Sequence, residues 1–258
     1  MRYPVGRTAK FLLGLAFPAL LLAAWELASR NGGVNPVFVP PPSAIAVTVA
    51  NLVVTGRIIG PLLHTVSLLA AGYTIGCTVA IATGVLMGSS RRVFNLLEPL
   101  TELLRPIPKV TLLPVLALFL GLGSALEVTL IALSSFFPVL INTVQGVRGV
   151  DPTIINVART FGHSPRAIWW RIMFPAAAPF ILAGMRISLG IALVVVVLSE
   201  MLSGTGGLGD MVLRAQRSFV AKESYAWVVI LAILGLCLTA LFSWTERHLA
   251  FWSAPQTK

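Results

Sequence analysis

Three polar side chains lie within or at the end of runs of residues that are otherwise apolar enough to cross a bilayer: Asn142, Arg186 and Glu200. A charged or polar group in hydrocarbon is costly unless it pairs or meets water or a ligand, so these residues are candidate pathway contacts for a polar solute. Arg186 either attracts an anion or pairs with an acid such as Glu102 or with helix-end carbonyls. For Asn142, a hydrogen bond across helices is favoured over contact with a solute.

Patterns typical of enzymes are weak in this chain. The run GTGGLG at 204–209 has glycine spacing like that of a dinucleotide loop, but no strand precedes it and a helix-opening context is not evident. None of the four lysines follows glycine, so none completes a Walker A motif. His64, His163 and His248 are too far apart to suggest metal-ligand spacing. We therefore predict no catalytic residue, no metal site and no cofactor in this chain.

The elements that position these residues are set by an unusually apolar composition. Of 258 residues, 57% are hydrophobic and 11% are charged, and the mean hydropathy is +0.90. Such values indicate an integral membrane protein. The formal net charge of +10 could suggest nucleic acid binding, but the basic residues lie between apolar runs and form no single cluster. Nucleic acid is therefore excluded as a partner, and the lipid bilayer is expected.

Six apolar segments are long enough to cross a bilayer at about 20 residues per span. They are 11–29, 61–88, 93–121, 128–147, 180–201 and 225–244. The third combines two pieces, because Pro106 and Pro108 interrupt it. The first also fits a cleaved signal peptide, but its length and the late Glu26 favour a retained span. The predicted fold is all-α and integral to the membrane, with six transmembrane helices.

Small residues recur every four positions in the second span. They are Gly72, Gly76, Ala80, Gly84 and Gly88. A ridge without large side chains lets another helix approach closely, so we predict a seam either between helices or between subunits.

Four charges of the third segment share one face at helical spacing: Glu98, Glu102, Arg105 and Lys109. This face must meet water, headgroups or protein. It belongs either to an interfacial helix with paired charges or to the border of a pathway's inner mouth.

The distribution of Lys and Arg predicts the orientation of the spans. With the N-terminus inside, thirteen lie in inner segments: Arg2, Arg7, Lys10, Arg91, Arg92, Arg105, Lys109, Arg148, Arg159, Arg166, Arg171, Arg247 and Lys258. Five lie outside, namely Arg30, Arg57, Arg214, Arg217 and Lys222. Both termini are thus predicted to be cytoplasmic, and the polar segment 151–175 between spans four and five is placed in the cytoplasm.

The polar segment 151–175 carries two sets of helix-start signals. Asp151 is a favourable N-cap with Pro152 at the first helical position, and Gly162 can end that helix in a left-handed turn. Ser164–Pro165 repeats the start. We predict helices at about 152–161 and 165–174, with Pro175 and Pro179 ending the second.

The same segment resembles the cytoplasmic "EAA" loop of ABC-transporter permease subunits. That family has Glu-Ala-Ala, three residues, Gly, nine residues and Ile-x-Leu-Pro. Here Gly162 is followed by nine residues and then Ile172-x-Phe174-Pro175, while 156–158 reads Asn-Val-Ala in place of the triplet. The resemblance implies a coupling helix between spans four and five that docks on a separate ATPase. The implied coupling residues are Asn156, Val157, Ala158, Arg159, Thr160, Phe161, Gly162, His163, Ser164 and Pro165.

GLG at 207–209, after the fifth span, also resembles these permeases, and three further motifs resemble their nitrate/sulfonate/taurine branch: PPPSAI, RPIPKVTLLPVLALFLGLG and WTERHLAFW. The branch resemblance implies import of a small anion across a bacterial inner membrane. It also implies a second, identical permease subunit, two ATPase subunits that hold ATP and Mg, and an extracytoplasmic substrate-binding protein.

Two other functions are compatible with six spans. One is a stand-alone secondary transporter or channel, against which the coupling-type segment and the lack of a clear inverted repeat both count. The other is an ABC permease for a non-anionic molecule such as a pyrimidine precursor. The predicted organisation is an N-terminal span with an outer proline-rich segment (1–60), the permease domain (61–250) and a cytoplasmic tail (251–258).

Overall fold

The computed structural model describes residues 7–249, with side chains described for 16–248, and within this range all regular secondary structure is helical. In chain order the helices are α1 (Arg7–Arg30), α2 (Pro42–Val54), α3 (Ile59–Ser89), α4 (Arg91–Leu104), α5 (Leu113–Leu120), α6 (Ser124–Arg148), α7 (Pro152–Thr160), α8 (Pro165–Ile168), α9 (Phe174–Ser203), α10 (Leu208–Arg217) and α11 (Ala221–Leu249). A 3-10 turn, Lys109–Leu112, precedes α5, and a π turn, Trp169–Met173, joins α8 to α9.

Four helical segments among the described residues are long and apolar enough to cross a membrane. They are Ile59–Ser89, Ser124–Arg148, Pro165–Ser203 and Ala221–His248. A fifth candidate is the pair Arg91–Leu104 and Lys109–Leu120, which is bent by 84° at the predicted interruption. These five correspond to the second to sixth predicted spans. The first predicted span, 11–29, falls in α1 but begins in residues whose side chains lie outside the described range.

The helices form two compact units. The larger contains Pro61–Asp210 together with the part of α11 that begins at Ala232, and the smaller contains α1, α2 and Met211–Leu231. In the larger unit, α6 is the central helix, since the side chains of Leu126, Leu130 and Ile131 are completely buried. They share a core cluster with residues of α3 and α9, which brings these three helices together.

The small-residue ridge of α3 packs against α6 of the same chain. A Cβ atom added at Gly76 would lie 2.4 Å from the carbonyl oxygen of Ala132, and one at Gly84 would lie 2.7 Å from the Cβ of Thr143. Such distances leave no room for a side chain. Of the two predicted kinds of seam, the ridge therefore forms one between helices within a subunit.

The prediction that Pro175 and Pro179 end a second short helix is wrong. After α8 the chain continues through the π turn into α9, which contains both prolines near its start. The N–H of Phe174 donates to the carbonyl of Trp169, five residues earlier. This wider turn precedes Pro175, which has no N–H to contribute, and so the helical path continues into the span.

Ser43 and Glu26 form a contact within the smaller unit that sequence patterns did not suggest. The cap of α2 is Pro41, and Ser43 lies inside the helix. The hydroxyl of Ser43 donates to the Glu26 carboxylate at 2.7 Å and its backbone N–H does so at 3.0 Å, while Arg30 pairs with the same carboxylate. Glu26, near the C-terminal end of α1, is thus paired with Arg30 and hydrogen-bonded to Ser43.

Candidate functional site

Helix α7 begins at the predicted cap. The Asp151 carboxylate accepts a hydrogen bond from the Thr153 backbone N–H at 2.8 Å, and Pro152 occupies the first turn. This backbone hydrogen bond lowers the pKa of the Asp151 carboxyl below its ordinary value, because it stabilises the charged form. The start of α7 is therefore fixed by residues next to it in sequence.

The end of α7 is a left-handed turn at Gly162, whose φ is +78°. The Gly162 N–H donates to the Arg159 carbonyl at 2.9 Å, and the His163 N–H donates to the Ala158 carbonyl at 3.1 Å. This pair of hydrogen bonds is the Schellman arrangement, which satisfies carbonyls that would otherwise be free at a helix end. Ser164 then caps α8, with its hydroxyl accepting from the Ala167 N–H at 3.3 Å.

Three large apolar side chains project from α7 into solvent and form what we term the α7 patch. Ile154 is 52% exposed, Val157 49% and Phe161 80%, whereas Ala158 is buried. The predicted coupling residues lie on α7, the turn that follows it and the first residue of α8, and nine of the ten are exposed: Asn156, Val157, Arg159, Thr160, Phe161, Gly162, His163, Ser164 and Pro165. An apolar patch of this kind, beside polar residues, is typical of a contact surface for another protein.

Arg186 is engaged in an ion pair. Its guanidinium lies 2.5 Å from the Glu246 carboxylate and 3.1 Å from the Ser243 hydroxyl, both on α11. Pairing was one of the two predicted roles, but Glu102 is not the partner, because it pairs with Arg105 at 3.7 Å. The charge of Arg186 thus links α9 to the last helix.

Glu200 is completely buried and caps the N-terminus of α10. Its carboxylate accepts from the Gly209 N–H at 2.9 Å and from the Thr65 hydroxyl at 2.7 Å, while the Thr65 hydroxyl oxygen accepts from the Leu208 N–H at 2.9 Å. We call these four residues the α10 cap. An acid at this position is stabilised by the free N–H groups and the positive end of the helix.

The glycines of the GTGGLGD run allow the backbone to approach this carboxylate. A Cβ atom at Gly207 would lie 2.0 Å from a carboxylate oxygen of Glu200, and one at Gly209 would lie 2.3 Å from the Val197 carbonyl oxygen. The run also opens a helix, α10, so the interpretation that GTGGLG lacks a helix-opening context is wrong. Asp210 completes the turn by accepting from the Gly206 N–H at 2.9 Å.

Sequence reasoning missed Thr65 and a second buried acid, Glu127. Glu127 lies in the first turn of α6, is completely buried and accepts from the Thr205 hydroxyl at 2.7 Å. The sequence offered one signal for these contacts. Thr65, Glu127 and Glu200 are polar residues near the ends of three apolar runs, where they can reach the glycine-rich connection after the fifth span. Their pairing across 78 and 135 residues is a long-range feature that spacing alone does not contain.

Replacing Thr65 by valine is expected to destabilise the chain by about 2 to 4 kcal/mol, since the buried Leu208 N–H and the Glu200 carboxylate each lose a partner. Thr65→Ser is the matched control, because it keeps the hydroxyl, and it should stay within about 1 kcal/mol of the wild type. Thermal unfolding of the purified protein in detergent measures both. Equal melting temperatures for the two variants would contradict the assigned cap.

Asn142 lines a cavity of about 540 Å³, which we term the Arg105 cavity after the cation at its rim. Its lining includes Arg105, Lys109, Phe137 and apolar residues of α6 and α9. The amide of Asn142 donates to the Pro138 carbonyl at 2.8 Å within α6, so its hydrogen bond is within one helix and not across helices. Of the three predicted pathway residues, Asn142 therefore borders this open space, while Glu200 is enclosed and Arg186 is paired.

No group of three or more His, Cys, Asp or Glu side chains that could hold a metal ion occurs in the part of the chain that the structure describes.

Comparison with known families gives one match that covers most of the chain. Residues 72–252 match the family described as binding-protein-dependent transport system inner membrane component. The chain is 32% identical over 242 residues to a Bacillus subtilis (strain 168) protein named as an aliphatic sulfonates transport permease, SsuC, covering 94% of this chain and 88% of that protein.

Two other relatives have named substrates. The taurine transport system permease protein TauC of Escherichia coli (strain K12) is 30% identical, and the alignment covers 97% of this chain and 92% of TauC. The nitrate import permease protein NrtB of a Synechocystis strain is 28% identical, and the alignment covers 88% of this chain and 85% of NrtB.

Solved structures share the fold. The inward-facing MetNI methionine ABC transporter aligns with a TM-score of 0.58 at 18% identity, covering 72% of this chain and 91% of that chain. An amino acid ABC transporter aligns with a TM-score of 0.56 at 20% identity, and the alignment covers 78% of this chain and 96% of that chain.

Proposed function

Because the chain belongs to the family of binding-protein-dependent transport system inner membrane components, we propose that its role is to carry a small anion inward across the membrane. The chain is an inner-membrane permease subunit of an ABC importer and not itself an enzyme, with ATP hydrolysis on a separate chain. Its partners include an ATPase and a substrate-binding protein.

The substrate class rests on the relatives. Their names give aliphatic sulfonates, taurine and nitrate. All three substrates carry a negatively charged oxygen group. We infer that this chain also moves an oxyanion, and the cations Arg105 and Lys109 at the Arg105 cavity support that inference.

We propose six spans with both termini in the cytoplasm. The five candidate spans among the described residues support this arrangement, with α1 as the sixth. The excess of Lys and Arg in the segments assigned to the inside gives the orientation. In this arrangement α7 lies on the cytoplasmic side, and the α10 cap lies toward the opposite face.

The α7 patch is proposed as the surface that docks on the ATPase. Phe161 offers a large, exposed, rigid side chain next to the fixed turn at Gly162. Exposed aromatic residues that fill a partner's pocket often dominate the free energy of binding. Because only the short turn at 161–164 separates α7 from the continuous path of α8, the π turn and α9, displacement of α7 by the ATPase would be passed into a span.

The complete importer is proposed to contain two identical copies of this chain, two ATPase subunits that bind ATP and Mg, and an extracytoplasmic binding protein. We assign a pathway role to Asn142 and structural roles to Arg186 and Glu200, because the latter two are engaged by Glu246 and by the α10 cap.

Uptake into proteoliposomes tests this proposal. The chain, reconstituted with its ATPase and binding protein, should accumulate radiolabelled taurine, ethanesulfonate or nitrate only when ATP is available to the ATPase. Uptake driven by an ion gradient without ATP would instead indicate a secondary transporter. ATP-dependent uptake of a pyrimidine precursor, with no uptake of any of the three anions, would overturn the proposed substrate class.

A further inference from the structure

The geometry points to the Arg105 cavity as a binding site for an organic anion, with the charged group held by Arg105 and a hydrocarbon part held against α6 and α9. This inference rests on the proposed function and narrows its substrate class. It favours anions that carry an apolar portion, such as alkanesulfonates, over bare inorganic ions such as nitrate.

The cavity lies at the break that follows α4. The helix and the segment beginning at Lys109 meet at 84°, and the lining includes Arg105, Ile107, Pro108 and Lys109 from this break. Its lining contains two cations and no Asp or Glu. The charge at the break therefore favours a negative ligand.

Lys109 neutralises the end of α4. Its Nζ donates to the carbonyl oxygens of Leu104 at 2.6 Å, Ile107 at 2.8 Å and Arg105 at 3.4 Å, and it lies 4.2 Å from the centre of the Phe137 ring. All three ammonium donors are thus used by the protein. Because the C-terminal end of a helix carries partial negative charge, this arrangement removes a repulsion that an anion in the cavity would otherwise meet.

Arg105 is the cation available to a ligand. Among the described residues its ion-pair partner is Glu102 at 3.7 Å, and both side chains are more than half exposed, at 54% and 61%. An exposed pair at this separation contributes little, so a ligand displaces it at small cost. The guanidinium presents five N–H donors in a planar fork that matches carboxylate, sulfonate and related oxygen groups.

Besides the two cations, the two prolines, Phe137 and the polar Ser134 and Asn142, the cavity has an aliphatic wall. The aliphatic wall comprises Ile107, Val110, Ile141, Ile187, Ile191 and Val195. A small inorganic ion would leave these surfaces in contact with water, whereas a ligand with a hydrocarbon part would remove them from water. The volume of about 540 Å³ is within the range of sites for small organic ligands.

Calorimetric titration of the purified permease–ATPase complex in nanodiscs, without the binding protein, tests the site directly. The probes are sodium methanesulfonate, butanesulfonate, hexanesulfonate and nitrate. Affinity should rise about threefold to fourfold for each added methylene group, and nitrate should bind most weakly. Equal affinity for all four probes, or no detectable binding of any, would overturn the inference without any variant being needed.

Variants test the two halves of the site separately. Arg105→Gln should weaken binding of every sulfonate about 10- to 100-fold, and Arg105→Lys should recover part of that loss. Ile191→Thr should weaken hexanesulfonate and leave methanesulfonate nearly unchanged. Arg91→Gln, an exposed cation at the start of α4 outside the lining, is the matched control and should bind as the wild type.

Unchanged sulfonate affinity in Arg105→Gln would contradict the assignment of the charged group. The uptake assay separates this failure from failure of the proposed function. If wild-type complexes accumulate anions with ATP but show no dependence on chain length, the cavity assignment alone is wrong. If they accumulate no anion at all, the proposed substrate class is wrong as well.

Discussion

Gly76→Ala is expected to lower the stability of the chain by about 2 to 3 kcal/mol, although it adds a single methyl group. The added Cβ would lie 2.4 Å from the Ala132 carbonyl oxygen and 3.0 Å from the Ala132 Cα, which belong to the backbone of α6. Backbone in a packed helix cannot rotate away as a flexible side chain can. The two helices must therefore separate along the whole ridge.

Gly190→Ala is the matched control, since it makes the same change in α9 at a position where no atom lies within 4 Å of the added Cβ. It should melt at or slightly above the wild-type temperature, because alanine is favoured over glycine within a helix. Thermal unfolding followed by intrinsic tryptophan fluorescence compares the three proteins. Similar melting temperatures for both variants would show that α3 and α6 are not packed as described.

Phe161→Ser is expected to reduce ATP-driven uptake at least tenfold and to leave the stability of the subunit unchanged. The side chain is 80% exposed in the isolated chain, so folding gains little from it. Loss of an aromatic residue at the centre of an interface typically costs about 2 to 4 kcal/mol of binding free energy. Uptake and ATPase activity are measured in proteoliposomes after equal insertion has been established.

Phe219→Ser provides the comparison for this variant, because Phe219 is similarly exposed at 82% and lies in the connection after α10, away from α7 in sequence. Its uptake should match the wild type. An uptake defect of equal size in both variants, or none in Phe161→Ser, would argue against the α7 patch as the coupling surface.

The start and end of α7 could be predicted because their signals are local. Asp151, Pro152 and Gly162 act on neighbours within a few residues, and the structure has the cap and the left-handed turn where the pattern indicates them. Apolar length similarly identified the long helices. These features depend on the chain near each residue, which is what the sequence displays directly.

The α10 cap could not be predicted, because its parts come from distant segments. The N-terminal N–H groups of α10 are satisfied by Thr65 and Glu200 and not by a capping residue next to the helix. Without these partners, a glycine-rich run indicates a loop. Arg186 is a similar case, since its partner Glu246 lies 60 residues further along the chain.

At the prolines after α8 the local sequence signal was misleading, since it predicted a helix end that the structure does not have. Pro175 and Pro179 are strong local signals for the end of a helix, yet the π turn before them allows the helical path to continue. The consequence is functional in the proposed mechanism. An interruption at these prolines would have separated α8 from the span, whereas helix continues from α8 through the π turn into α9, and only the turn at 161–164 lies between this path and α7.

Photo-cross-linking from position 161 tests the central claim most directly. With p-benzoylphenylalanine in place of Phe161, irradiation of the assembled importer should join this chain to the ATPase subunit. The same probe at Phe219 should give no such product. Absence of an ATPase adduct from position 161, or equal adducts from both positions, would contradict the assignment of the α7 patch as the surface that docks on the ATPase.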